Sequence, residues 1–253
     1  MNTGKRYFGM TLAQIGILAA LALVACIVIG ILGTMMLNFT PTTQSVEPTY
    51  TLQPSPTPVM PSTPWPTVTP IPDWQEYSFA EGQARIWLPA SYIGGDTVTS
   101  SGTIMEKLKA TFDDEAFAND IQGLMATPEV SFFAFDTEFT SAVRFMFIGK
   151  ETLSPDVVIT LDGYLNNMVD NSVDGSDRLV ERQVTQEDYY PVGKLVVESK
   201  VPAEDAEVYV TVATYVIQVD NTMWLITFRT GREEFGGYRP TIESIATSFW
   251  IQQ

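Results

Sequence analysis

The side chains best placed to do chemistry here are carboxylates, because the 253-residue chain holds no histidine and a single cysteine, Cys26, which lies inside an apolar run. Zinc sites built on His or Cys, Ser-His-Asp and Cys-His relays and an internal disulfide are thereby excluded. The sharpest carboxylate pattern is Asp170-x-Ser172-x-Asp174-Gly175, closed by Glu181. It approximates an EF-hand calcium loop, in which oxygens alternate along a tight turn, glycine permits the bend at the sixth place and a bidentate acid completes the shell at the twelfth. Asp177 stands where such a loop wants an apolar residue, and Arg178 brings a positive charge to the ninth place. A polar helix-to-strand connection turned by Gly175 therefore competes with a calcium site at Asp170, Ser172, Asp174 and Glu181. No other cofactor is expected.

Asp113-Asp114-Glu115 and Glu204-Asp205-x-Glu207 are acid clusters of the type that glycoside chemistry uses in facing pairs. Neighbours along a chain point in different directions, so a helix cap and a solvated loop are the competing roles. Arg229, Arg232 and Arg239 alternate with Glu233 and Glu234 around Gly231, Gly236 and Gly237. This reads as a mobile mixed-charge loop able to grip an acidic ligand group.

The elements that must position these residues begin at Trp74. Tyr77 to Phe79 and Ala84 to Leu88 predict a hairpin turned at Glu81-Gly82, and Pro89 ends it. Ser101 and Asp114 are capping residues for two helices, one carrying Ile104, Leu108 and Phe112, the other Phe117, Ile121, Leu124 and Met125 at helical spacing. Strands follow at Val130 to Phe135 and Ala142 to Ile148, where Arg144 faces away from Val143, Phe145 and Phe147. Ser154-Pro155-Asp156 predicts a helix start, with the helix running to about Val169. A strand meander spans 178–184, 192–200, 207–219 and 223–230, its last turn at Asp220-Asn221, and Pro240 to Phe249 reads as a closing helix.

Ahead of this domain, Thr11 to Leu37 carries no charge. As a helix it covers roughly 40 Å, enough for a hydrocarbon core of about 30 Å. Lys5 and Arg6 are the last basic residues before Arg85, so the positive-inside bias leaves residues 1–10 as a cytoplasmic stub and carries the rest across the membrane. The competing description is a lipoprotein cleaved at Leu23-Val24-Ala25-Cys26, against which stands the apolar stretch Ile27 to Leu37. Ala22, Cys26, Gly30 and Thr34 form a small-residue row that would let the span pair with a second copy. Residues 38–73 are rich in Pro and Thr without Lys or Arg, which predicts an extended disordered stalk. Lys5, Arg6, Glu47 and Asp73 cancel, so the net charge of −16 falls on residues 74–253. Such a surface repels nucleic acid and anionic lipid.

The motifs Arg85-Ile86-Trp87-Leu88-Pro89, followed by Tyr92 and Gly94-Gly95, and Ile242-x-x-Ile245-x-x-Ser248-Phe249 give residues 74–251 a pattern that resembles the PsbP-like superfamily. The resemblance implies an α+β domain, an antiparallel sheet sandwiched by helices. It also implies an extrinsic, non-catalytic role in binding proteins and sometimes ions, as in a photosystem subunit, a factor that binds a small GTPase and many bacterial surface proteins. No binding residue carries over with it. The expectation is a single-pass cell-membrane protein: lipid bilayer around residues 11–37, extracytoplasmic head at 74–253, a protein partner outside the cytoplasm and no enzyme activity. The alternatives are a carboxylate-dependent hydrolase of envelope polymer and a lipoprotein-like accessory subunit of a membrane complex.

Overall fold

A computed structural model describes residues 71–138, 143–156, 159–172, 177–186, 190–202 and 207–252. The expected span over 11–37 and nearly all of the stalk lie outside them, as does the small-residue row. Among the described residues no helix is long and apolar enough to cross a membrane. What they form is an α+β fold with two antiparallel sheets and four helices.

The predicted hairpin is present as β1 (Trp74–Phe79) and β2 (Ala84–Pro89). Its turn holds Ala80, Glu81 and Gly82 at φ 51, 58 and 84°, and the Ala80 N–H is fastened by Asp96 Oδ2 at 2.9 Å. β3 (Tyr92–Asp96) was not expected, because glycine weakens a strand pattern. It exists through those glycines: a Cβ on Gly94 would stand 2.3 Å from the Ala134 Cβ, so only glycine lets β3 approach β4 (Val130–Asp136). Sheet order continues through β5 (Phe145–Thr152), β9 (Thr222–Gly231), β8 (Glu207–Val219), β7 (Pro191–Pro202) and β6 (Arg178–Gln186), all antiparallel. β10 (Trp250–Ile251) pairs with β2 and completes a separate three-stranded sheet.

The seven-stranded sheet is covered on both faces. On one side α1 (Ser101–Thr111) and α2 (Glu115–Met125) enclose Phe133, Phe135, Phe145 and Phe147, and α3 (Leu161–Ser172) packs on Leu195, Val197 and Val216. On the other, α4 (Arg232–Thr247) and the small sheet bury Phe132, Met146, Ile226 and Phe228 with Phe79 and Ile245. The alternation along β4, β5 and β9 is what divides the core in two. Asp114 caps α2 as expected, accepting from the Phe117 N–H at 2.9 Å, whereas Ser100, not Ser101, precedes α1 and its hydroxyl makes no cap bond.

Two helix starts differ from the expectation. α3 begins at Leu161 rather than Ser154, because Thr160 supplies the cap, its hydroxyl accepting from the Gly163 N–H at 3.1 Å. α4 begins at Arg232, so of the residues expected to be a mobile loop Arg229 and Gly231 belong to β9, those from Arg232 to Arg239 are helical, and Pro240 lies inside the helix. Glu233 and Glu234 in the first turn favour that start by meeting the helix dipole.

Candidate functional site

Sheet register assembles the site. Phe145 pairs with Arg229, which puts Arg144 opposite Thr230; Thr230 pairs with Thr211, Thr211 with Glu198, and Tyr92 with Asp136. Strand alternation turns this row toward the face that α4 covers. The next row on that face, Ala134, Met146, Phe228, Ala213 and Val196, is apolar, so these polar groups collect at one end of β4, β5 and β9, beneath the first turns of α4.

Asp136 is 1% exposed and its Oδ2 lies 3.2 Å from Arg144 Nη2. Its Oδ1 accepts from the Glu138 N–H at 3.0 Å, and Arg144 Nη2 also donates to the Glu138 carbonyl. The Arg144 guanidinium stacks 4.2 Å from the Tyr238 ring centroid, with Glu234 Oε2 3.9 Å from its Nε. Tyr238 donates to the Tyr92 hydroxyl at 3.1 Å. Burial pushes the Tyr238 phenol up to about 12 and the Tyr92 phenol well above its ordinary value, so both stay neutral donors at physiological pH. Among the described residues the hydroxyls of Thr211 and Thr230 are buried without a protein partner. The row opens to solvent in a cleft of about 300 Å³, lined also by Trp74, Ser91 and Thr241.

The charge balance of this cleft is negative: Asp136 and Glu138 line it with one guanidinium, that of Arg144, which Glu234 meets from beside the cleft, and Trp74 and Tyr238 add ring faces. A cationic side chain finds carboxylates to donate to and aromatic faces to lie against.

A second group of charges closes on itself under the middle of α4. Lys194 Nζ is 2.9 Å from Glu243 Oε1 and 3.2 Å from Glu181 Oε1; Arg239 reaches Glu243 Oε1 at 2.8 Å and Glu181 Oε2 at 3.0 Å. Two cations and two anions neutralise one another, which fastens α4 to β6 and β7.

The expected calcium ligands fall on different elements. Asp170 lies within α3 and Ser172 is its last residue, Asp174 is outside the described residues, and Glu181 sits on β6 with both oxygens against cations. No cluster of three His, Cys, Asp or Glu side chains able to hold a metal occurs among the described residues. Of the acid clusters, Asp114 is a helix cap, while Glu204 and Asp205 are outside the described residues. Arg229, Arg232 and Arg239 separate: Arg229 is buried on β9, Arg232 lies over the Tyr209 ring and Arg239 joins the four-charge group. Sequence spacing marks Glu234, in the mixed-charge stretch, and Arg144, as the polar face of an apolar strand, but not the cleft that Arg144 shares with Asp136, Glu138 and Tyr238. Only register shows that Asp136 and Thr230 flank Arg144.

No protein-family model matches the chain, and no curated protein does. Among solved structures it is similar to PsbP (CyanoP) from Synechocystis sp. PCC 6803, at 15% identity and a TM-score of 0.43, covering 76% of this chain and 99% of that one. It is similar also to the Ran-binding protein Mog1p of Saccharomyces cerevisiae, at 10% identity and a TM-score of 0.42 over 70% and 95% of the two chains. A protein of unknown function from Pseudomonas aeruginosa, PA94, aligns at 9% identity and a TM-score of 0.38 over 46% and 77%.

Proposed function

We propose that this chain is a non-catalytic binding protein, a PsbP-like head held outside the cytoplasmic membrane by a single span and a proline-stiffened stalk. Its cleft takes a basic side chain from a partner protein. The observation that carries this reading is a surface opening lined by Asp136, Glu138 and Arg144 beside Trp74 and Tyr238, with Glu234 against the far side of the Arg144 guanidinium. Ionised carboxylates in a partly enclosed site attract a cation strongly, and the overall charge of −16 steers it there. The phenols, raised by burial, serve as donors and ring faces rather than as bases.

A photo-crosslinker placed at Ser91, on the cleft rim, tests this in native membranes. The expected product is an adduct to one protein through a Lys- or Arg-containing peptide, lost when Glu138 and Glu234 are both changed to Gln. Adducts to lipid or glycan, or capture indifferent to those changes, would exclude the reading. Protease added to intact cells separately tests the topology: the head should be shaved away without lysis.

A further inference from the structure

Arg229 has no share in the cleft. It lies on the opposite face of the seven-stranded sheet, in the row that runs Phe135, Phe145, Arg229, Val212 and Val197 across neighbouring strands. The aromatic cluster beneath α1 and α2 stands on one side of it and the aliphatic cluster beneath α3 on the other, so its guanidinium occupies the seam between the two helical covers. The residue is 8% exposed, and its Nε is sealed from solvent without an acceptor. It rests over the Phe145 ring at 5.4 Å. Among the described residues it has no carboxylate partner and makes no hydrogen bond, although acids outnumber bases roughly two to one in this chain. Arg144, by contrast, is met by Asp136.

A buried cation without a counter-charge is costly, and a ring face offsets only part of that cost. Burial lowers Arg229 to about 10, which leaves it charged at neutral pH. Its fork of donors matches a bidentate oxyanion, and such a group would supply the missing counter-charge. We infer that Arg229 anchors an anion site in the seam between α2 and α3, which takes the carboxylate of a ligand with an apolar body. The guanidinium lies over the Phe145 ring and Val212 is the register partner of Arg229 on β8, and these apolar neighbours favour such a body over a strongly hydrated phosphate. This site is separate from the cleft and stands or falls without it.

Thermal unfolding of the purified full-length chain tests the assignment, with sodium benzoate, sodium phosphate and sodium chloride compared at equal ionic strength. Benzoate at about ten times its dissociation constant should raise the Tm by roughly 3 to 5 °C over chloride, and phosphate by less. Arg229→Met should abolish the benzoate effect, while Arg232→Gln, at an exposed arginine, keeps it. If Arg229→Met does not fold, labelling of the native protein with an arginine-selective dicarbonyl decides, since benzoate must protect the Arg229 peptide. Equal Tm in all three salts, a shift that survives Arg229→Met, absence of protection, or a phosphate effect larger than that of benzoate would each overturn the assignment.

Discussion

Arg144 and Asp136 form a pair in which each is needed mainly because the other is buried. Arg144→Met alone should cost about 3 to 5 kcal/mol by urea unfolding, since it strands the Asp136 carboxylate. Changing Asp136 to Leu as well should recover most of that loss. Asp120 presents the opposite case: burial, then the charge of Asp114, raises its carboxyl above the ordinary value, and its Oδ2 has no partner. Its charge therefore weakens the fold at neutral pH and ceases to do so once protonated. Asp120→Asn should stabilise by about 0.5 kcal/mol at pH 7 and by less near pH 4. Glu243 is held below the ordinary glutamate value by Arg239 and then Lys194. That contribution is fully present above pH 4.5, the ordinary value, and is lost as the pH falls through the folded value. Glu243→Gln and the unaltered protein should thus converge in Tm under acid. At this scale the sequence showed the absence of histidine and the cap at Asp114, both local facts. The cleft was hidden, because Asp136 and Arg144 meet only through the pairing of β4 with β5, and Tyr238 reaches them only by the packing of α4 over the sheet.

Helix and strand existence was legible wherever one period ran long enough, as in α2, β5 and the β6 to β9 meander. Boundaries failed where a cap of similar chemistry stood nearby: Thr160 displaced Ser154, and Gly231 with two acids displaced Pro240. β3 escaped notice because its glycines serve close approach rather than propensity. Gly94→Ala should accordingly cost about 3 kcal/mol or more, as the new methyl would press on Ala134 and on the Phe133 carbonyl. Gly236 and Gly237 behave differently, for each lies in α4 with open space where a Cβ would go. Gly236→Ala and Gly237→Ala should each stabilise by about 0.5 to 1 kcal/mol in urea unfolding. The helix that roofs the cleft is thus weakest at Gly236 and Gly237 and is fastened just beyond them, through Arg239 and Glu243, by the four-charge group.

For the molecule as a whole, the charge of −16 makes self-repulsion a term of its own. The α+β class and the two-sided covering of the sheet could be read from alternating apolar strands between amphipathic helices. The division into a seven-stranded and a three-stranded sheet could not, since it depends on a two-residue strand at the far end of the chain. β10 sets Trp250 against Arg85 and Ile251 against Ala84, the Gln252 N–H donates to the Gln83 carbonyl at 2.7 Å, and the Ser248 hydroxyl accepts from the Trp87 N–H at 3.0 Å. The hairpin therefore gains its third strand from a segment separated from it by nearly the whole folded domain. Until Trp250 and Ile251 dock, β2 keeps a bare edge, and a molecule in which that short strand has come loose would leave the edge open to strand-seeking chaperones or to a neighbouring copy.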